Sequence, residues 1–136
     1  MANNDVQEFR DFFIYNFSFS ALADAASVSV NVNILADSDF FWVEGIGHFF
    51  TATSTWAAYP RVTVRVFDSG SGRQLDNEAM VVRSYFGLPD EPVQIRPNKR
   101  FVANSSVQLT FTNNHGSTIA LGHCSMLGFK SYRVSP

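Results

Sequence analysis

Apolar and polar residues alternate with a period of two along much of this chain. Val28, Val30, Val32 and Ile34 alternate with Ser27, Ser29, Asn31 and Asn33. Val62, Val64 and Val66 alternate with Arg61, Thr63 and Arg65, and Val107, Leu109 and Phe111 with Gln108, Thr110 and Thr112. Successive side chains of a strand point to opposite faces, so each segment predicts a strand with one apolar and one polar face. Phe13, Tyr15, Phe17 and Phe19 repeat the pattern nearer the N-terminus. Two other segments are apolar on both faces. One runs from Phe40 through Val43 and Ile46 to Phe49-Phe50, the other from Ile119 through Cys124 and Leu127 to Phe129. A strand apolar on both faces is covered on both. One face of each sheet in a small sandwich is wet, so the second face of these two strands requires a loop or another subunit over it.

Turn residues separate the runs. Asp68-Ser-Gly-Ser-Gly72 and Asn113-Asn-His-Gly116 each predict a hairpin loop. Leu88-Pro-Asp-Glu-Pro92 and Arg96-Pro97-Asn98 predict a long extended connection over 87–100, ahead of a strand near 101–112. Pro97 offers no backbone donor, which suits an edge or a crossing. Helix signals are confined to the start. Asp5 with Glu8 makes a capping pair, and Phe9, Phe12 and Phe13 fall at i, i+3, i+4, which reads either as a short helix over 5–13 or as an extended N-terminal arm over 1–10. About eight antiparallel strands with at most one short helix predict an all-β fold, a β-sandwich of jelly-roll type, with an immunoglobulin-like sandwich as the alternative. Residues 1–136 are expected to form a single domain.

Composition changes the picture in one direction. Charged residues make up 16% of the chain, below the roughly 25% of soluble domains. Aromatic residues make up 15%, and 14 of them are Phe. Hydrophobic residues at 46% exclude a disordered chain, and one Cys excludes an intrachain disulfide framework. A net charge of -2 gives no overall field for nucleic acid. Lys99 and Lys130 are the only lysines; the other basic residues are Arg. Interfaces favour Arg and aromatics and disfavour Lys, so this balance points to surface covered by other chains. Met1-Ala-Asn-Asn-Asp5 lacks the basic and apolar regions of a secretory signal, and no apolar window is long enough to span a membrane. Synthesis in a host cytoplasm without export is therefore expected, and Asn16-Phe-Ser18 and Asn104-Ser-Ser106 read as accidental glycosylation patterns.

Candidate chemistry is sparse. Phe67-Asp68-Ser69-Gly70 resembles the active-site loop of aspartic proteases, where two such loops share one proton between two carboxylates. A chain of this length would have to dimerise to use Asp68 that way, and the Gly-containing flap is missing around 91–96. The same residues also make an ordinary hairpin turn. His48, His115 and His123 lack metal-ligand spacing, His115 falling in a turn and the other two in apolar strands as core or interface groups. Cys124 adjoins His123, but neighbours on a strand face opposite sides and cannot pair. Asp37 and Asp39 flank Ser38 in the turn before an aromatic strand. Arg96, Lys99, Arg100 and Phe101 form a small basic cluster suited to an acidic partner surface or to a solvated loop. Trp42, Trp56, Tyr59 and Tyr85 are candidates to stack on sugars. No cofactor and no metal is expected.

The order of these segments is familiar. An alternating strand leads to Leu35-Ala-Asp-Ser-Asp39-Phe-Phe-Trp-Val43, and later comes Val66-Phe-Asp-Ser-Gly-Ser-Gly-Arg-Gln-Leu-Asp-Asn77. Tyr85-Phe-Gly-Leu-Pro-Asp-Glu-Pro92 leads into Ile95-Arg-Pro-Asn-Lys-Arg-Phe101, and the chain ends with Leu109 to Asn113, Ile119 to Leu121 and Leu127 to Tyr132. Across residues 12–133 this layout resembles small virion proteins of tailed bacteriophages with jelly-roll or similar β-sandwich folds. The resemblance implies a non-enzymatic capsid decoration or cement protein, located on the virion. Its partners would be the major capsid protein or other virion proteins, and it would form a homodimer or homotrimer, with neither nucleic acid nor membrane as partner. The alternative is a carbohydrate-binding jelly roll in a receptor-binding or head-fibre position, and the remote alternative is the dimeric protease using Asp68.

Adjacent strand residues face opposite sides, so one member of each pair Phe12-Phe13, Phe40-Phe41 and Phe49-Phe50 must leave the core. The candidate interface residues are Phe9, Phe12, Phe41, Phe49, Trp56, Tyr85, Arg96 and Arg100.

Overall fold

The structure, a computed structural model, describes residues 7–52 and 55–134. Among the described residues ten strands follow one another: β1 (Gln7–Leu22), β2 (Ser27–Asn33), β3 (Phe40–Ala52), β4 (Thr55–Trp56), β5 (Val62–Asp68), β6 (Arg73–Gln74), β7 (Met80–Val81), β8 (Val93–Phe101), β9 (Ser106–Asn113) and β10 (Ile119–Val134). A 3-10 turn, Val82–Ser84, precedes β8. The pairing is nested. β1 pairs β10, β2 pairs β9, and β3 pairs β8, while β5 pairs its own short followers β6 and β7. This doubled ribbon rolls into two antiparallel sheets, β1-β10-β3 with β4 and β8 beside β3, and β2-β9-β5 with β6 and β7 beside β5. That is the arrangement of a jelly-roll sandwich, the all-β fold expected from about eight strands separated by turns.

The three alternating segments are strands, and their apolar positions form the core. Val62, Val64, Val66, Val107, Leu109 and Phe111 have no exposed surface. They meet Tyr15, Phe17 and Phe19 of β1, and Phe40, Trp42 and Phe49 of β3. Trp42 lies between Tyr85, Phe86 and Phe101, at ring separations of 5.8, 5.7 and 6.2 Å, and its indole N–H donates to the Glu44 carbonyl at 2.6 Å.

Three expectations need correction. Residues 7–13 form no helix; they belong to β1, with Gln7 opposite Val134 and Phe13 opposite Gly128. The period-two run from Phe13 to Phe19 extends backwards because β10 supplies a partner along the whole length, and tertiary pairing outweighs a local capping signal. Residues 7–10 of the expected arm are thus strand, and residues 1–6 lie outside the described residues. The turn at 113–116 closes no hairpin, since β9 and β10 lie in different sheets. Asn113 stitches this crossing by donating from its amide to the carbonyls of Leu22 and Ser117 at 2.9 and 2.8 Å. A turn signal marks a reversal and carries no information about which sheet receives the next strand. Most of the expected connection over 87–100 is the edge strand β8, with Pro97 in the gap between its two paired stretches.

β3 contains a bulge. Trp42 and Glu44 are both paired to β10, opposite Gly128 and Leu127, which leaves Val43 as the extra residue. An extra residue reverses the facing of everything beyond it. Before the bulge Phe40 and Trp42 face the core; after it Gly45, Gly47 and Phe49 do. Phe49 is therefore wholly buried and Phe50 is the outward member of its pair, contrary to strict alternation and to the placing of Phe49 among the interface candidates. Gly128 is required opposite the bulge, because a Cβ there would run into the Phe41 carbonyl oxygen.

Arg83 in the 3-10 turn secures the same strand. Its guanidinium donates to four carbonyls: Ala58 and Gly47 at 2.7 Å, Gly87 at 2.9 Å and Phe86 at 3.1 Å. It also lies 5.3 Å from the Phe49 ring centre. Burial without a carboxylate partner pushes its pKa down. Replacing Arg83 with Met is expected to lower unfolding stability by about 3 kcal/mol, because several carbonyls lose their donor at once. Lys is expected to restore only part, lacking the planar fork. Urea unfolding of the two variants checks this, and Gly128→Val is expected to prevent folding altogether.

Candidate functional site

The outward face of the β1-β10-β3 sheet is unlike that of its counterpart. Outward positions of β2 are Ser27, Ser29, Asn31 and Asn33, all exposed and polar. Those of the larger sheet are arranged in cross-strand rows. Phe12, Phe129, Phe41 and Arg100 stand side by side on β1, β10, β3 and β8. The next row is Ile14, Leu127, Glu44 and Gln94, and further along Ser20, Leu121, Phe50 and Trp56 form another. Both faces of β3 and β10 carry apolar residues, as the sequence predicts, with Glu44, His48, His123 and Ser125 interspersed on the outer one, and no segment of the described residues is packed across it.

The Phe12 row is the most developed part. Phe41 and Phe129 stack with ring centres 4.9 Å apart and planes 9° from parallel. The Arg10 guanidinium lies 4.8 Å from the Phe129 centre. Phe12 is 70% exposed. Because the bulge turns both Val43 and Glu44 outward, a groove of about 320 Å³ opens between Phe12, Phe129, Leu127 and Val43. Arg10 and Glu44 stand at its margins, and Gln94 holds one Glu44 oxygen at 2.7 Å. An apolar groove with one cation and one anion beside it suits a protein surface.

A polar corner adjoins this row at the Asp37-Ser38-Asp39 turn. The Ser38 hydroxyl donates to the carbonyls of Asp39 or Ser131, each at 2.8 Å. Lys130 is buried on the core side of β10, its ammonium 3.8 Å from the Phe13 ring centre and 3.0 Å from Asp37. Tyr132 donates to Asp37 at 2.8 Å. That hydrogen bond, followed by Lys130, holds the Asp37 carboxyl below the usual carboxylate range, and the same bond pushes the Tyr132 phenol up to about 12. Asp39 is held low first by the Ala103 N–H at 2.8 Å and then by Arg100. The turn reading of these two aspartates stands.

The remaining candidates separate. Phe12, Phe41 and Arg100 share one row, with Arg100 ion-paired to Asp39 at 2.5 Å. Phe9 has the core-facing parity of β1 yet is 49% exposed. Trp56 is exposed beside Phe50, and Arg96 is exposed on β8. Tyr85 is half-buried against Trp42 and donates to Asp76 at 2.9 Å, which commits its hydroxyl internally. Of the sugar-stacking candidates Trp42 is wholly buried, whereas Tyr59 is 73% exposed above a hollow of about 310 Å³ bordered by Arg61 and Asn114. Asp68 is buried, paired to Lys99 at 3.1 Å, and accepts from the Gly70 N–H and the Ser71 hydroxyl. Those are the bonds of a hairpin turn and leave no free carboxylate to share with a second copy. Cys124 is buried on the face opposite His123, and burial pushes its thiol pKa up. Sequence reasoning missed the groove, because it depends on the bulge at Val43, and it missed Arg83, whose partners are all backbone carbonyls.

No family model matches the chain, and no curated protein matches it. Among solved structures it is similar to the infectious bursal disease virus VP2 subviral particle, at 11% identity and a TM-score of 0.34. All of this chain is covered and 43% of that one, so the chain spans under half the length of the structure it matches.

Asp37 and Asp39 both have depressed folded-state pKa values, so their stabilisation is present above the ordinary Asp value of about 3.9 and is lost as pH falls through the folded values. The stability gap between the protein and an Asp37→Asn, Asp39→Asn variant is therefore expected to be largest near neutral pH and to narrow below about pH 4. Urea midpoints at pH 7 and pH 3 measure it.

Proposed function

We propose that this chain is a non-enzymatic structural protein of a virion, of the decoration or cement type that binds the major capsid protein shell of a tailed bacteriophage. The observation that carries the reading is the aromatic row Phe12-Phe129-Phe41, presented with its groove on a sheet face that nothing in the described residues covers. Copies of the chain associate through this face into a dimer or trimer, since closed symmetric assembly buries an apolar face on every protomer. The edge carrying Arg96 and Arg100 then meets acidic capsid surface. Low charge, few Lys and many Arg support the same reading. So does the fold, because jelly rolls occur in viral capsid proteins, although the architecture also serves lectins. The protein is made in the host cytoplasm and resides on the particle.

Co-sedimentation with undecorated tailed-phage capsids tests this. The protein is expected to pellet with the shells, and Phe12→Ser with Phe129→Ser, which separates the copies, is expected to weaken binding more than about tenfold through lost multivalency while the chain stays folded. Failure to pellet at any salt concentration removes the cement role.

One observation favours a second reading. Tyr59 stands exposed over a hollow edged by Arg61 and Asn114, an aromatic platform with polar groups beside it, as a sugar site requires. Under that reading the protein is a receptor-binding or head-fibre component. A glycan array gives hits lost with Tyr59→Ala if it holds, and none if it does not.

A further inference from the structure

The middle of the same sheet face holds a feature that the interface reading does not use. His123 of β10 is directly opposite His48 of β3, although the two are far apart in sequence. Their strand neighbours Gly122, Cys124, Gly47 and Phe49 are buried, so both imidazoles project from the outer face, His48 half-buried and His123 exposed. Directly opposed residues of an antiparallel pair have Cβ atoms about 4.5–5.5 Å apart. At that separation two imidazole rings can each turn one nitrogen toward a common point and meet a metal at about 2.0–2.1 Å.

The surroundings fit such an ion. Ser18 completes the row on β1, and the rows on either side are Asn16, Ser125 and Ile46, and Ser20, Leu121 and Phe50. No carboxylate, Lys or Arg stands in these three rows, so nothing there competes for the metal by ion pairing or repels it. The Ser125 hydroxyl is tied to the Asn16 amide oxygen at 2.6 Å. Neutral imidazole favours zinc, nickel and copper over calcium and magnesium, which require oxygen donors. No group of three or more His, Cys, Asp or Glu is assembled among the described residues, so the protein supplies two ligands and the other coordination positions open outward.

We propose that His48 and His123 form a two-histidine site for a divalent transition metal on the outer face of this sheet. The site is complete in a single chain and does not rest on virion assembly. Its outward positions are filled by water in the free protein and are open to a side chain of any molecule seated on the face.

Calorimetric titration of the full-length, tag-free chain with nickel chloride at pH 7.5 tests the proposal. One nickel ion per chain is expected, with binding lost in both His48→Gln and His123→Gln and retained in His115→Gln. Both positions are on the outer face, so His48→Gln and His123→Gln are expected to keep the parent's unfolding midpoint without metal, while nickel raises the midpoint of the parent and of His115→Gln but of neither of these two. Absence of binding in the parent, or binding that survives either His48→Gln or His123→Gln, overturns the proposal whatever the outcome with capsids.

Discussion

A single extra residue in β3, Val43, decides which side of the sheet every later side chain of that strand faces. Without it the strand would continue from Phe40 and Trp42 with Phe50 turned inward and Phe49 outward. With it, Phe49 closes the core against Phe19, at a ring separation of 6.4 Å, and lies under the Arg83 guanidinium. The neighbouring features follow from that geometry. Gly128 must lack a side chain opposite the bulge, Gly45 must admit the Tyr85 carbonyl, and Val43 and Glu44 both turn outward to form the groove wall. The bulge thus links the packing of the core to the shape of the outer surface.

The Phe content divides along this line. Phe17, Phe19, Phe40, Phe49, Phe86, Phe101 and Phe111 are buried between the sheets. Phe12, Phe41, Phe50 and Phe129 stand in rows on the outer face of the larger sheet. Burying an aromatic side chain is among the largest favourable contributions a core can gain, and the inner group suffices to hold the sandwich. The outer group is only partly buried and contributes less to a lone chain; under the proposed function it seats a neighbouring copy. Charge is distributed to match. Lys130, Asp37, Asp39, Arg100, Asp68 and Lys99 are engaged in ion pairs around the turns, leaving the aromatic rows flanked by Arg10 and Glu44.

How much of this is legible from residues alone follows from the same physics. Strict alternation in β2, β5 and β9 reveals their existence and their inner faces, because each pairs regularly over its length. The two-sided strands are legible as such from Phe40 to Phe50 and from Ile119 to Phe129. Which member of each Phe pair faces outward is legible for Phe12 and Phe41, which precede the bulge or lie off β3, and illegible for Phe49, which follows it. The opposition of His48 and His123 depends on a register between distant segments, and local pattern carries no register. Arg83 is hidden for a related reason, since backbone carbonyls leave no trace in side-chain pattern.

Under the proposed function, the outer face of the larger sheet is covered by a second copy of the chain. Mass photometry and sedimentation of the purified protein across micromolar concentrations address it most directly. A dimer or trimer is expected, becoming monomeric when Phe12 and Phe129 are changed to Ser, with folding intact. A parent protein that remains strictly monomeric over that range would contradict it.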